Sequence, residues 1–258
     1  MLSRLTARLG RFAAVEFFWF SIQHLVRRMF DPRGRGVDLS SQLIRELREE
    51  GFAHLGQIGP TTVSQLQEVL DDQSNRIETR RDGEDLRVWG IETLIPSWDA
   101  LSRDLTALYT AVIGPRWEIA TVMGNVVPAE PTSLGSGEGW HRDSNAPQYK
   151  IMILLSAVES ELDGAFTFLP GSHRYRTIIR TFNSDRRWSK HKNRWADDSV
   201  RNLAKDVRSV LGAVGDVVMF DGAVLHRGAP NRGNKSRKAI TIYLFPKGSV
   251  PIQFRGIH

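Results

Sequence analysis

From Asp38 the apolar positions recur with a helical period. Leu39, Leu43, Ile44 and Leu47 fall at i, i+4, i+5 and i+8, with Asp38 or Ser40 placed to cap the start. Gly51 stops that helix, and Phe52-Ala53-His54-Leu55 reads as a short strand. Thr61 or Thr62 opens a second helix carrying Val63, Leu66, Val69 and Leu70 on one side. Residues 86–95 read as extended, and Ser97 caps a third helix that runs through Ile113. After Pro115 the character changes, because residues 117–127 are rich in Ile, Thr and Val. Further strands are expected at 139–143, 149–158, 165–169, 216–220, 224–226 and 238–245, punctuated by Gly and by Pro170-Gly171. Helices first and many short strands later predict a mainly β sandwich or barrel with flanking helices. A doubly wound nucleotide-binding fold is excluded, since no strand leads through Gly-x-Gly-x-x-Gly into a helix; Gly135-Ser136-Gly137-Glu138-Gly139 runs into a strand instead.

Composition narrows the chemistry. The 258 residues are 41% hydrophobic and 25% charged, ordinary values for a globular chain, and suit one large domain with a short appendage. There is no cysteine, so disulfides, thiolate metal sites and cysteine nucleophiles are excluded, and any transition-metal site must use His and carboxylates. The absence of cysteine and of a clear export signal points to a cytoplasmic setting.

The net charge of +6 is unevenly spread. Residues 1–36 hold seven Arg against two acids, and residues 174–210 hold eleven basic groups against four acids. The chain divides into a basic amphipathic segment, 1–36, and a main domain, 37–258, with a basic insert at about 174–210. The apolar run 12–20 is interrupted by Glu16 and is too short to span a bilayer. It reads either as a helix packed on the domain or, through residues 1–30, as a peripheral membrane contact. In the insert, Trp188 and Trp195 sit among Arg186, Arg187, Lys190, Lys192 and Arg194. This mixture fits a lid over an anionic substrate or a surface helix with Trp inside and charge outside. Nucleic acid is not the expected partner; oligomeric state is left open.

Trp140-His141-Arg142-Asp143 carries the first chemical signal. Strand alternation puts His141 and Asp143 on one face and Arg142 on the other. An imidazole and a carboxylate so placed offer two ligands to a divalent metal, and His226 is the candidate third. Two His and one carboxylate on one face leave coordination positions open. Eleven residues after His226, Arg237 begins an apolar strand, where a guanidinium at the mouth of a cavity can grip a carboxylate. A solvated Arg beside Arg232 and Lys235 is the plain alternative. Lys150 and Arg142 flank the metal segment, where they either meet an anionic substrate or, the preferred reading, are ordinary surface charges.

These pieces resemble the phytanoyl-CoA dioxygenase-like family of non-haem iron, 2-oxoglutarate-dependent oxygenases, over about residues 40–245. The resemblance rests on Gly139-Trp140-His141-Arg142-Asp143 and on Asp163-Gly164-Ala165-Phe166-Thr167-Phe168-Leu169-Pro170-Gly171-Ser172-His173. It also rests on Gly215-Asp216-Val217-Val218-Met219-Phe220 leading to His226. It implies a double-stranded β-helix, the jelly-roll, cupin-like barrel of these enzymes. It implies that His141, Asp143 and His226 bind Fe(II) and that Arg237 binds the distal carboxylate of the cosubstrate 2-oxoglutarate. Met123 and Leu155 are similar in placement to cosubstrate-lining positions, with plain core residues as the competing reading. Asp143 stands where related halogenating enzymes lack the carboxylate, which favours hydroxylation by dioxygen with release of succinate and CO2. His173 is expected to be structural.

The expected activity is therefore a dioxygenase acting on a small or carrier-linked, anionic metabolite. Two other classes stay open: a metal-binding barrel acting as an isomerase or ligand-binding module, and an anion- or membrane-binding protein driven by the basic segments.

Overall fold

The computed structural model describes residues 42–75, 85–130, 139–144, 146–174 and 206–254, together with 18, 22, 23, 25, 26, 29, 194, 195 and 200. Three helices come early: α1 (Gln42–Glu49), α2 (Pro60–Asn75) and α3 (Trp98–Ile113). Between and after them run β1 (Phe52–Gln57), β2 (Leu86–Trp89), β3 (Trp117–Val127), β4 (Trp140–His141), β5 (Tyr149–Leu154) and β6 (Phe166–Phe168). The remaining strands are β7 (Arg194–Trp195), β8 (Arg208–Val210), β9 (Asp216–Asp221), β10 (His226–Gly228) and β11 (Arg237–Pro246). All pairings are antiparallel and form two sheets, in the orders β1-β9-β5-β11-β3-β2 and β7-β4-β10-β6-β8. From β3 to β6, and again from β8 to β11, successive strands alternate between the sheets, which is the jelly-roll arrangement that the family resemblance implied.

The six-stranded sheet is covered on both faces, so its central strands are apolar almost throughout. Its outward side chains, including Val122, Ile151, Ile153, Met219, Ile240 and Ile242, pack with Leu66, Leu70, Leu105 and Val112 from the helices in one large core. Its inward side chains meet the short sheet: Met152, Leu154, Val218 and Phe220 pack against Phe166, Phe168 and Val210. A smaller group, Ala120, Met123, Tyr243 and Phe245, fills another part of the interior.

Expected bounds shift by a few residues: the strands expected at 139–143 and 149–158 are Trp140–His141 and Tyr149–Leu154, and two further shifts have local reasons. Residues 86–95 are not extended throughout: Gly90 takes φ 69°, and Ile91–Leu94 follows as a 3-10 turn. Strand β10 begins at His226 and not at Val224, because Asp221 to Val224 close a tight turn. The Val224 N–H donates to the Asp221 carbonyl at 2.9 Å, and the Ala223 N–H donates to Asp221 Oδ1 at 2.8 Å. Ser97 precedes α3 as expected, but its hydroxyl bonds the Gln65 side chain and not the helix backbone. Of the basic insert, Arg194 and Trp195 form an edge strand on β4, with Trp195 opposite Trp140. The rest of the lid-or-helix reading, the caps at Asp38 and Ser40, and most of residues 1–36 lie outside the described residues. Among the described residues, no helix is long and apolar enough to cross a membrane.

Candidate metal centre

His141 ends β4 and His226 begins β10, and the two are direct partners across that strand pair. Their rings lie 4.4 Å apart. Asp143 sits just beyond β4, with Oδ1 3.8 Å from His141 Nε2 and Oδ2 3.3 Å from His226 Nε2. One ligand atom from each of the three lies within 4.8 Å of the others. Each imidazole is oriented by its own backbone. His141 Nδ1 lies 2.8 Å from the Gly139 carbonyl, and His226 Nδ1 lies 2.9 Å from the Val224 carbonyl. A carbonyl can only accept, so each Nδ1 carries the proton and each Nε2 turns a lone pair toward the carboxylate. Three neutral or anionic donors converging this way make a site for a divalent cation.

The segments that carry these residues are clamped to each other. Arg142, opposite His141 in the alternation, is buried, and its Nη1 donates to the carbonyls of Ser172 (2.8 Å) and Ala223. The Asp143 and Ser144 N–H groups both donate to the Gly222 carbonyl, at 3.0 and 3.2 Å. Ser172 accepts the Leu225 N–H on its hydroxyl at 2.7 Å. The end of α1 closes the arrangement from behind. Gly171 N–H donates to Glu50 O, Asp221 N–H donates to Gly51 O, and His173 Nε2 lies 3.1 Å from Arg48 O. Gly51 has φ 80°, and a Cβ there would fall 2.2 Å from Val224 Cγ2, so no other residue fits without movement. His173 is thus structural, as the Pro-Gly turn suggested.

Burial sets the electrostatics. It pushes the His226 imidazole down to about 3, which keeps it neutral and able to ligate. Burial alone would raise the Asp143 carboxyl, but the Lys150 ammonium outweighs it and holds the group below the usual carboxylate range. Lys150 is no surface charge. It lies 6% exposed at the inward start of β5, with Nζ 2.8 Å from Asp143 Oδ2. Burial opposes its charge, but Asp143 and the Tyr243 hydroxyl keep the ammonium protonated.

Arg237 is also buried, on the inward face at the start of β11, and burial lowers it to about 10. Its Nη2 donates to Asn125 Oδ1 at 2.7 Å, while its buried Nε makes no hydrogen bond. A desolvated guanidinium with a free N–H edge is suited to a carboxylate. Met123 is on the same inward face, where its sulfur accepts the Tyr243 hydroxyl at 3.8 Å. Leu155 is elsewhere: it packs in the helix-side core, its carbonyl accepting Gln67 Nε2 at 2.7 Å. The structure therefore brings together His141, Asp143 and His226, sets Arg237 and Met123 on the barrel's inner wall, and does not bring Leu155 there. Sequence reasoning missed Arg142 as a clamp and Lys150 as a buried partner. The alternation of β5, with Lys150 in step with inward Met152 and Leu154, is the signal that places Lys150 inside.

A jelly-roll barrel with two His and one carboxylate at the edge of its short sheet defines a class of metal-dependent enzymes. Residues 47–239 match the family model of phytanoyl-CoA dioxygenase (PhyH), and the chain belongs to that family. It is a non-haem iron, 2-oxoglutarate-dependent enzyme. No curated protein sequence matches it. Among solved structures it is similar to AviO1 from Streptomyces viridochromogenes Tue57, at 21% identity and TM-score 0.57, covering 81% of this chain and 95% of that one. It is also similar to the epimerase SnoN in complex with Fe3+, alpha ketoglutarate and nogalamycin RO, at 14% identity and TM-score 0.63, covering 80% and 82%. A third is HygX from Streptomyces hygroscopicus with nickel, 2-oxoglutarate and hygromycin B bound, at 15% identity and TM-score 0.58, covering 84% and 95%. Identities this low speak to the fold alone.

Proposed function

We propose that the chain is a dioxygenase that hydroxylates a C–H bond of a small or carrier-linked metabolite. In this reading His141, Asp143 and His226 hold Fe(II), and Arg237 takes the distal carboxylate of 2-oxoglutarate, with Met123 on the cavity wall. The observation that carries it is the convergence of two Nε2 lone pairs, each fixed by an Nδ1–H bond to a carbonyl, on one carboxylate. The orphaned Arg237 Nε supports the cosubstrate half of the reading. Iron and 2-oxoglutarate, when bound, would supply the oxidation, with succinate and CO2 as coproducts. The chain's own residues hold the donors neutral or anionic, and the three of them would ligate the metal and leave room for other ligands. They also fix the cosubstrate's far end with a rigid, desolvated guanidinium.

A small-molecule substrate is supported by the ligands in the SnoN and HygX structures, nogalamycin RO and hygromycin B. Because SnoN is an epimerase, the reaction outcome needs its own test. Anaerobic titration of Fe(II) and 2-oxoglutarate into the metal-free protein should produce the weak visible charge-transfer band of the chelated keto acid. Arg237→Ala and His226→Ala should both lose it. A folded, metal-loaded wild type without the band would move the reading to a barrel without oxygenase chemistry. Once a substrate is found, one labelled oxygen atom from 18O2 in the product marks hydroxylation, and its absence marks another outcome.

A further inference from the structure

The interior contains a cation that the proposed chemistry does not use. Lys150 is the first inward residue of β5, opposite Tyr243 of β11 and Phe220 of β9. Its ammonium lies 4.4 Å from the Tyr243 ring centroid and 5.9 Å from that of Phe220, so it is flanked by two aromatic faces. It reaches Asp143 Oδ2 at 2.8 Å and bonds the Tyr243 hydroxyl, which in turn bonds Met123 Sδ. The side chain thus has little freedom to swing away. Desolvating an ammonium and a carboxylate costs several kcal/mol per ion, and a buried pair seldom repays this as stability. The other inward positions of β5 are Met152 and Leu154, and a residue of that kind would fit the packing.

The two carboxylate oxygens of Asp143 are not equivalent. Oδ2 has no solvent exposure and lies 2.8 Å from Lys150 Nζ and 3.3 Å from His226 Nε2, whereas Oδ1 lies 3.8 Å from His141 Nε2. Oδ2 is therefore shared between an ammonium and a ligating nitrogen. A carboxylate free at both oxygens can close on a metal with both and fill an extra coordination position.

We infer that Lys150 is a positioning residue that competes with a bound metal for Asp143 Oδ2, so that the carboxylate would not close on the metal with both oxygens and an additional position would stay open for the keto acid and dioxygen. This rests on the metal-triad reading of the previous subsection. Lys150 acts through Asp143 and is not itself assigned to substrate.

The test loads metal-free protein with Mn(II) and measures water-proton relaxation, which counts exchangeable metal-bound water, and then titrates 2-oxoglutarate. Wild type and Lys150→Arg, which keeps a cation, should show the higher relaxivity. Lys150→Met should show relaxivity lower by about a third, one of three open positions having been filled. It should also bind 2-oxoglutarate at least ~10-fold more weakly, on the scale of other lost metal-site supports. Lys150→Gln, uncharged but polar, carries the same test if the methionine variant does not fold, and the same direction is expected. Wild-type relaxivity and cosubstrate affinity in the folded neutral variants would overturn the inference, as would a Lys150→Arg variant that behaves like Lys150→Met. Failure of wild type itself to bind Mn(II), with His226→Ala as the matched control, would count against the metal centre and not against Lys150 alone.

Discussion

The two faces of the six-stranded sheet are built from the same strands to opposite purposes. The outward face is a continuous aliphatic surface, Val122, Ile151, Ile153, Met219, Ile240 and Ile242, pressed against three helices. The inward face alternates with it residue by residue, yet holds Asn125, Lys150 and Arg237 beside its apolar positions, all buried. Outward positions bury area without direction, so one aliphatic residue can replace another at modest cost. Inward positions bury charge, which is tolerated only where each group has a partner or awaits one. The sheet lets the same ten residues of β11 carry both kinds of position because side chains alternate with a period of two.

Breaking that contrast gives its largest effect at Asp143. Asp143→Ala should abolish Fe(II)-dependent turnover and also leave Lys150 buried without its acid. The metal-free protein should lose about 3–5 kcal/mol in denaturant unfolding. Adding Lys150→Met should return much of that stability but none of the turnover; a double variant as unstable as the single would contradict the pairing.

Leu155 separates the outward face from the cavity. Leu155→Ala should cost about 2–5 kcal/mol of stability, as for other buried leucines, while 2-oxoglutarate affinity per folded molecule stays at the wild-type value. A selective loss of cosubstrate affinity would return Leu155 to the cavity wall. Arg237→Met should behave in the reverse way, with stability little changed and cosubstrate binding weakened by about 2 kcal/mol or more, some thirtyfold. Isothermal titration on the metal-loaded protein reads it directly.

Gly51→Ala probes the support behind the site, since its Cβ would meet Val224 and His173 in a left-handed conformation. A loss of about 1–3 kcal/mol is expected, with weaker metal binding because Val224 carries the carbonyl that orients His226. A last effect is a slope with pH. His226 is lowered in the folded chain from 6.5 to about 3, so the unfolded chain binds the proton more readily. Its contribution is fully present above pH 6.5 and is lost as the pH falls toward 3. Chelator-treated wild type should show this decline in urea midpoints, and His226→Gln should show less of it.

The helical period of α1, the breaks at Gly51 and Pro115, and the run 117–127 were legible because local periodicity and β-branched content report burial directly. The fold was legible at that level, including β3 at its observed bounds. The triad residues were legible as a motif because a strand places alternate residues on one face, though β4 itself stops at His141. Lys150 was misread as a surface charge because no local rule says which face of a strand will be enclosed. Leu155 was drawn to the cavity by likeness of position, while its packing against the helices depends on how the chain leaves β5. Arg142 was hidden for a similar reason: its partners, the carbonyls of Ser172 and Ala223, are 30 and 81 residues away.

The sequence by itself determined the class of fold, the absence of thiolate chemistry, and the residue types able to ligate a metal. These are local properties of composition, period and donor chemistry. Only the tertiary structure decided which oxygen of Asp143 meets Lys150, which cations are enclosed, and which carbonyls hold His141 and His226 in one tautomer. Those depend on pairings between distant strands and on the burial that follows, and burial is what turns an ordinary lysine, arginine or histidine into part of a site.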